Sequence, residues 1–520
     1  MSPLTPRRLD PTHRESAYSV ATTRAIELLA QAGLPPGTLM NRAGDAAARL
    51  LRAWQPQARR IDVVCGPGNN GGDGLVAATA LHRHLQTLGQ GHVTAWLLHD
   101  PARPLPGDAA RALRQAESAG VDLRRLPQAG SAVPPWGQDA EVLIDGLLGI
   151  GARPLGPGPL AETAWALAQD PRPVLCLDVP SGLDADTGRW TGPLPSSRHP
   201  RATLALLTLK PGLLTGHGRD LAGDVWLDTL GVAVPDDAGV ATHWGGFGSD
   251  PGDKAGHPHA AHKGSYGDVA VMPGQSLVHS GQGMAGAAVL AARAALHAGA
   301  GRVYLGVPDA STTVEWDPVQ PELMLRHLPA LLDPPTLAAL TVVAGCGGGA
   351  GLGSWLPGVL AHAGRLVLDA DGLNAVANDG ALQDALRRRG WQATVITPHP
   401  LEAARLLGRS TADVMADRLG AASALAGLLQ VICVLKGAGT VVAAPQGLPW
   451  INASGNARLA TAGTGDVLAG MVAAAMARHP GEAMDSVCRA VHLHGLLAQT
   501  WDAGEGSLTA AALARAARPV

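Results

Sequence analysis

Ile61-Asp62-Val63-Val64-Cys65-Gly66-Pro67-Gly68-Asn69-Asn70-Gly71-Gly72-Asp73-Gly74 begins as a strand and ends as a helix. The apolar run feeds a glycine turn, after which Ala77, Leu81, Leu85 and Leu88 fall on one helical face. A strand, a tight turn and a helix in that order are the first part of a βαβ unit. Further apolar runs at 93–98, 142–148, 174–179, 203–209 and 224–228 alternate with amphipathic stretches. That alternation predicts an α/β domain with a Rossmann-like, doubly wound parallel sheet over residues 1–231.

The pattern breaks at 232–262, where Pro235-Asp236-Asp237, Gly245-Gly246 and a Gly/Pro/His-rich run at 250–262 read as a linker. A second α/β series follows over 263–520. Its candidate strands are 268–272, 302–306, 341–344, 366–369, 394–397 and 431–435, with Ala-rich helices at 284–297 and 467–477. The halves share no obvious repeat, so two different α/β domains are expected, each with its own site.

The 520 residues are 46% hydrophobic and 16% charged, with a formal net charge of -3. This composition supports packed cores and provides no net basic field for nucleic acid or an anionic membrane. Cys65, Cys176, Cys346, Cys433 and Cys488 form no CxxC pair, which suits a reducing compartment. No apolar leader and no membrane span is read, so a cytoplasmic protein is expected. Arginine dominates over lysine, leaving only Lys210, Lys254, Lys263 and Lys436. Large apolar α/β enzymes often associate, so a homo-oligomer is expected.

Gly66-x-Gly68-x-x-Gly71 satisfies the dinucleotide fingerprint, whose amides at a helix N-terminus suit an anion. Asp73 argues against a pyrophosphate there, since its charge would repel one; an N-cap is the alternative role. The next strand ends near Asp100, well beyond the ~20-residue spacing of a ribose-binding acid. Two later strand ends add Asp145 and the run Asp178-Val179-Pro180-Ser181. Carboxyl ends of parallel strands share one edge, so Asn70, Asp145 and Ser181 can converge as oxygen ligands for a hard cation.

Residues 69–74, 145–151 and 178–184, with Leu39-Met40-Asn41-Arg42-Ala43-Gly44 upstream, resemble the NAD(P)H-hydrate epimerase family over residues 15–230. Asn41 stands where that family usually carries Glu, and it is given no role. The resemblance implies contacts to the hydrated cofactor from Asn69, Asn70, Gly71, Gly72 and Asp73, and from Gly149, Ile150, Gly151, Ala152, Arg153, Pro154 and Leu155. It also implies a potassium ion bordered by Asn70, Asp145 and Ser181, and substrate contact from Asp178. Epimerising a hemiaminal-type carbon requires loss and return of the hydroxyl or a ring proton, which makes Asp178 the acid/base candidate.

In the second half, Ala462-Gly463-Thr464-Gly465-Asp466 leads into a helix. Small residues there let backbone N–H groups cradle phosphate oxygens. Asp466 would repel phosphate, but is placed to accept a proton from a hydroxyl attacking a terminal phosphoryl group; an N-cap is the alternative. Lys436-Gly437-Ala438-Gly439-Thr440 forms a second glycine turn, whose lysine can reach a phosphate or be a solvated turn residue. His399, between two prolines, is a positioned ligand group or a turn histidine. Asp369 and Asp371 end another strand and can orient substrate or hold Mg²⁺.

This set, with His262-Lys263-Gly264, Gly286-Ala287-Ala288, Glu402 and residues 456–470, resembles the ribokinase-like fold and, within it, the ADP- or ATP-dependent NAD(P)H-hydrate dehydratase family, over 260–510. The resemblance implies that Lys436, Gly437, Ala438, Gly439, Thr440 and Gly465 line ADP or ATP. It implies that Ala287, a glycine near Gly351, His399 and Asp466 line the hydrate. Two departures stand out: the family's Gly-Pro-Gly-Leu-Gly turn is here the longer run 345–353, and Leu401 replaces a glycine. Joined in one chain, the halves resemble those of the bifunctional NAD(P)H-hydrate repair enzymes, and the resemblance implies action on hydrated NADH and NADPH. The main rival is a vitamin or sugar kinase, which would release a stable phosphorylated product. A nucleotide-sensing scaffold would bind without turnover, and a dehydrogenase would use the first glycine loop.

Overall fold

The computed structural model describes residues 5–519, apart from 100–102, 127–135, 138, 152–154, 196–198, 248–261, 276–280, 282 and 308–314. The chain divides into two compact units, residues 1–10 with 16–242, and residues 11–15 with 243–520. The stretch expected as a linker is partly regular, because Val240–Gly245 is a strand. Its glycine/proline/histidine-rich part lies outside the described residues up to 261.

The first unit is built on an eight-stranded sheet. Its order is Arg7–Arg8, Asp224–Asp228, Arg201–Leu206, Val174–Leu177, Val142–Gly146, Arg60–Cys65, His92–Leu97, Asp122–Arg125. All neighbours pair in parallel except Arg7–Arg8, which runs antiparallel to Asp224–Asp228. The chain leaves Arg60–Cys65 to one side and later returns on the other beside Val142–Gly146, so a crevice opens between these two strand ends. Strand residues such as Val63, Val93, Ile144 and Leu175 are wholly buried, as a parallel sheet covered on both faces requires.

The second unit carries an eleven-stranded sheet. Met324–His327, Arg302–Val307, Asp268–Val271, Thr341–Ala344, Arg365–Leu368, Thr394–Ile396 and Ile432–Leu435 run parallel. Val441–Ala443 and Trp450–Ile451 continue it antiparallel, followed by Val240–Gly245 and Arg14–Tyr18, of which residues 243–245 and 14–15 belong to this unit. The helix Thr464–Arg478 is buried almost all round and packs on Ala285–His297. Their alanine and glycine faces permit this: a Cβ on Gly470 would stand 2.0 Å from the Ala291 carbonyl oxygen. The strands and helices read from the sequence are present with ends shifted by one to three residues; the run at 142–148 leaves the sheet after Gly146, where the crevice begins. Among the described residues no helix is long and apolar enough to cross a membrane.

Candidate active sites in the two units

In the first unit the helix Asn69–Thr87 starts directly after the glycine turn, with Gly68 as its N-cap. Asp73 therefore lies one turn inside the helix and is not the cap. A cavity of about 650 Å³ opens above the crevice, lined by Asn69, Asn70, Asp73, Gly149, Ile150, Gly151, Asp178 and Lys210 among others. Gly71 and Gly72 form the buried floor of the turn: a Cβ on Gly71 would meet the Gly66 carbonyl oxygen at 2.0 Å, and one on Gly72 would meet Met40. Ala152, Arg153 and Pro154 lie outside the described residues. Leu155 is partly buried and would touch a Cβ on Gly182 at 3.1 Å. Asn41 is not among the residues lining this cavity.

Asp178 follows the strand Val174–Leu177 and has a left-handed backbone, φ 68°, which costs a β-carbon-bearing residue on the order of 1–3 kcal/mol. The carboxylate accepts from Lys210 Nζ on one oxygen and from the Ile150 amide, 3.2 Å away, on the other. Lys210 has no exposed surface and also donates to the Leu206 carbonyl oxygen at 2.6 Å. Burial, then the charges of Asp178 and Glu27, push the Asp73 carboxyl well above its usual range. Glu27 is raised too, first by burial and then by Asp178. On the sequence alone Lys210 carries no role. Its scarcity as a residue type, just after an apolar strand, was the available signal.

Asp145 and Ser181 meet as expected. Ser181 donates through Oγ to one Asp145 oxygen at 2.6 Å and through its backbone N–H to the other at 2.9 Å. Burial raises the Asp145 pKa, and these bonds oppose the shift. The Asn70 carboxamide and the Asp178 carboxylate both lie against Gly149, where a Cβ would stand 3.4 Å from Asn70 Oδ1 and 3.2 Å from Asp178 Oδ2. Both side-chain atoms of Asn70 are buried without a hydrogen-bond partner among the described residues. An orphaned buried carboxamide oxygen is a hard donor of the kind a monovalent cation takes.

In the second unit four parallel strands end around one point. Gly345 follows Thr341–Ala344 with φ 106°, and a Cβ there would stand 2.0 Å from the Asp369 carbonyl oxygen. Asp369 ends Arg365–Leu368 and pairs with Lys436 Nζ at 2.7 Å, Lys436 itself ending Ile432–Leu435. The expected lysine is thus present but already holds a carboxylate. Asp371 accepts from the Gly349 amide at 2.9 Å.

The helix Thr464–Arg478 begins against this point with Gly463 as N-cap at φ 88°. Asp466 is therefore in its first turn and makes no cap. The ligand atoms of Cys346, Asp369 and Asp466 lie within 4.8 Å of one another. Burial, then Asp369, push the Asp466 carboxyl up to about 6, with Asp371 adding to the rise. A Cβ on Gly465 would stand 3.3 Å from Lys436 Nζ, a close contact that the absence of a side chain avoids.

His399 follows the strand Thr394–Ile396 and caps the helix Pro400–Leu407. Its Nδ1 accepts from the Leu401 amide at 3.1 Å, and its backbone N–H donates to the Glu402 carboxylate at 2.8 Å. Burial, then Lys436, lower its pKa, which favours the neutral ring. The turn 436–440 closes on itself through Thr440 Oγ1, which donates to the Gly437 carbonyl oxygen at 3.0 Å. Ala438 is exposed, and Gly439 has φ 60°. Ala287 lies at the start of Ala285–His297. The glycine brought against it is Gly347, whose Cβ would stand 3.2 Å from that of Ala287, whereas Gly351 is exposed with open space around it. The uneven spacing of glycines in 345–353 concealed this.

Two α/β units, each with a buried Asp–Lys pair where parallel strands end, one beside a deep cavity and one beside a glycine-capped helix, define an enzyme with two separate centres. Residues 276–518 match the NAD(P)H-hydrate dehydratase family model, and residues 36–212 match that of the YjeF-related protein N-terminus. The bifunctional NAD(P)H-hydrate repair enzyme Nnr of Escherichia coli is 35% identical over 91% of this chain and 87% of its own length. That of Coxiella burnetii is 34% identical over 89% and 90%, and the bifunctional NAD(P)H-hydrate repair enzyme of Leishmania major 32% over 96% and 91%. Among solved structures, the ADP/ATP-dependent NAD(P)H-hydrate dehydratase of Bacillus subtilis, co-crystallised with ATP and Mg²⁺, is 28% identical. It covers 50% of this chain and 90% of its own, with a TM-score of 0.40. The chain belongs to the family of bifunctional NAD(P)H-hydrate repair enzymes.

Proposed function

We propose that the chain repairs hydrated NADH and NADPH, the first unit interconverting the two epimers and the second dehydrating one of them at the expense of ADP or ATP. The observation that carries the second half is the Asp466 carboxyl, raised to about 6 in the first turn of a helix whose N-cap is glycine. A carboxylate of that basicity takes a proton near neutral pH more readily than an ordinary aspartate. Asp466 accepts the proton of the ring hydroxyl as its oxygen bonds to the terminal phosphorus, and the nucleotide leaves one phosphate shorter. The amides of residues 463–465 meet the phosphoryl charge. Phosphate then departs from the ring carbon with its bonding pair, a proton is lost from the neighbouring carbon, and the double bond returns.

Lys436, Gly437, Ala438, Gly439, Thr440 and Gly465 line the nucleotide in this reading, and Ala287, His399 and Asp466 the hydrate, with Gly347 rather than Gly351 as the neighbouring glycine. Asp369 and Asp371 supply the hard oxygens suited to Mg²⁺, which when bound neutralises phosphate charge. In the first unit Asn69, Asn70, Asp73, Gly149, Ile150 and Gly151 hold the hydrate, and Asp178 is the acid/base group for loss and return of the hydroxyl or a ring proton. Asn70, Asp145 and Ser181 would hold potassium beside it.

The test supplies each hydrate of NADH with ADP or ATP and follows the return of nicotinamide absorbance. Asp466→Asn stops the recovery and leaves epimer exchange intact; Asp145→Ala stops exchange and leaves dehydration of the S epimer intact. Accumulation of a stable phosphorylated product would instead favour a kinase.

A further inference from the structure

Four carboxyl-bearing side chains line the first-unit cavity: Glu27, Asp73, Asp108 and Asp178. Asp108 is engaged by the Gly37 amide at 3.1 Å and by Arg111 at 3.0 Å. The other three face one another with Arg24 and Lys210 as the cationic side chains in the lining. Of these cations, Lys210 is the one that bonds Asp178, and it does so with no surface exposed. A lysine gives up much hydration to be so buried, and an apolar side chain would fill the space at lower cost. Its second bond, to the Leu206 carbonyl oxygen, fixes the ammonium on the loop after Arg201–Leu206. The Asp178 carboxylate is thereby gripped from the Leu206–Lys210 loop on one oxygen and by the Ile150 amide on the other. Asp178 also keeps its left-handed backbone.

We propose that Lys210 is a positioning residue for epimerisation, holding the Asp178 carboxylate in register with the substrate and balancing its charge against Glu27 and Asp73. The inference rests on the reading of Asp178 as the acid/base group. A lysine serving only to hold the loop together would affect folding and substrate binding. A lysine that orients the acid/base carboxylate affects turnover.

The experiment uses the full chain without nucleotide and follows exchange between the R and S hydrates. Lys210→Met, of similar length, is expected to lower kcat by about 10²-fold while KM changes by less than about threefold. Asp178→Asn/Lys210→Met is expected to be no slower than Asp178→Asn alone, because the two act as a unit. Should Lys210→Met fail to fold, Lys210→Ala with added ethylammonium replaces it, and saturable recovery of kcat is expected. Unchanged kcat in folded Lys210→Met, a rise in KM alone, or absence of amine rescue overturns the proposal while leaving an inactive Asp178→Asn, and hence the reading of Asp178, in place. Full exchange by Asp178→Asn overturns both.

Discussion

Acidification should silence the dehydratase half through one carboxyl. Burial and Asp369 hold Asp466 at about 6, against an ordinary 3.8. A group with that pKa is roughly 90% ionised at pH 7 and roughly 10% at pH 5. Since the ionised form is the proton acceptor, kcat/KM falls about tenfold for each pH unit below 6. An unperturbed aspartate would keep its rate to about pH 4. Nucleotide phosphates also titrate near this range, so the decisive comparison is with Asp371→Asn. That variant removes one of the negative charges that raise Asp466, adds no new titrating group, and at saturating Mg²⁺ should move the acid limb to lower pH. The assay is recovery of nicotinamide absorbance from the S hydrate of NADH, at fixed saturating ATP and Mg²⁺, between pH 5 and pH 8. Asp466→Asn should flatten the limb and lower kcat by about 10²–10⁴-fold. A limb in the same place in Asp371→Asn, or one that survives in Asp466→Asn, would refute the assignment of Asp466 as the base.

Two further outcomes are expected. Gly470→Ala drives a Cβ to 2.0 Å from the Ala291 carbonyl oxygen and should destabilise the second unit by about 1–3 kcal/mol, read as a lower thermal unfolding midpoint. Asn70→Ala removes the orphaned carboxamide and should abolish any preference of epimerisation for potassium over sodium, measured by exchange rates in the two chlorides; a preserved preference would remove Asn70 from the cation site.

The strand-turn-helix units were legible because each carries its period and its punctuation locally. The glycine turn at 66–74 and the acids Asp145, Asp178 and Asp369 stand where apolar strands stop, the Gly463–Gly465 turn and Asp466 stand where a buried helix starts, and parallel topology gathers strand ends at one edge. The sheet margins were not legible. Asp122–Arg125 is polar, Val441–Ala443 and Trp450–Ile451 are short, and Arg14–Tyr18 pairs far from its sequence neighbours. Lys210 stands out in the sequence only as one of four lysines and carries no role there, because lysine reads as a surface residue unless its partner is known, and Asp178 is 32 residues away. The pairing of Gly347 with Ala287 depends on how a nine-residue glycine-rich run folds, which spacing does not encode.

Residues 11–15 cluster with the C-terminal unit although more than two hundred residues of the other unit separate them from it in sequence. Expressing the halves separately by cutting anywhere in 232–262 would strip the C-terminal piece of the margin that begins at Arg14 and would expose backbone N–H and C=O groups that invite pairing with another chain. Poor solubility of such a fragment would then reflect a missing strand.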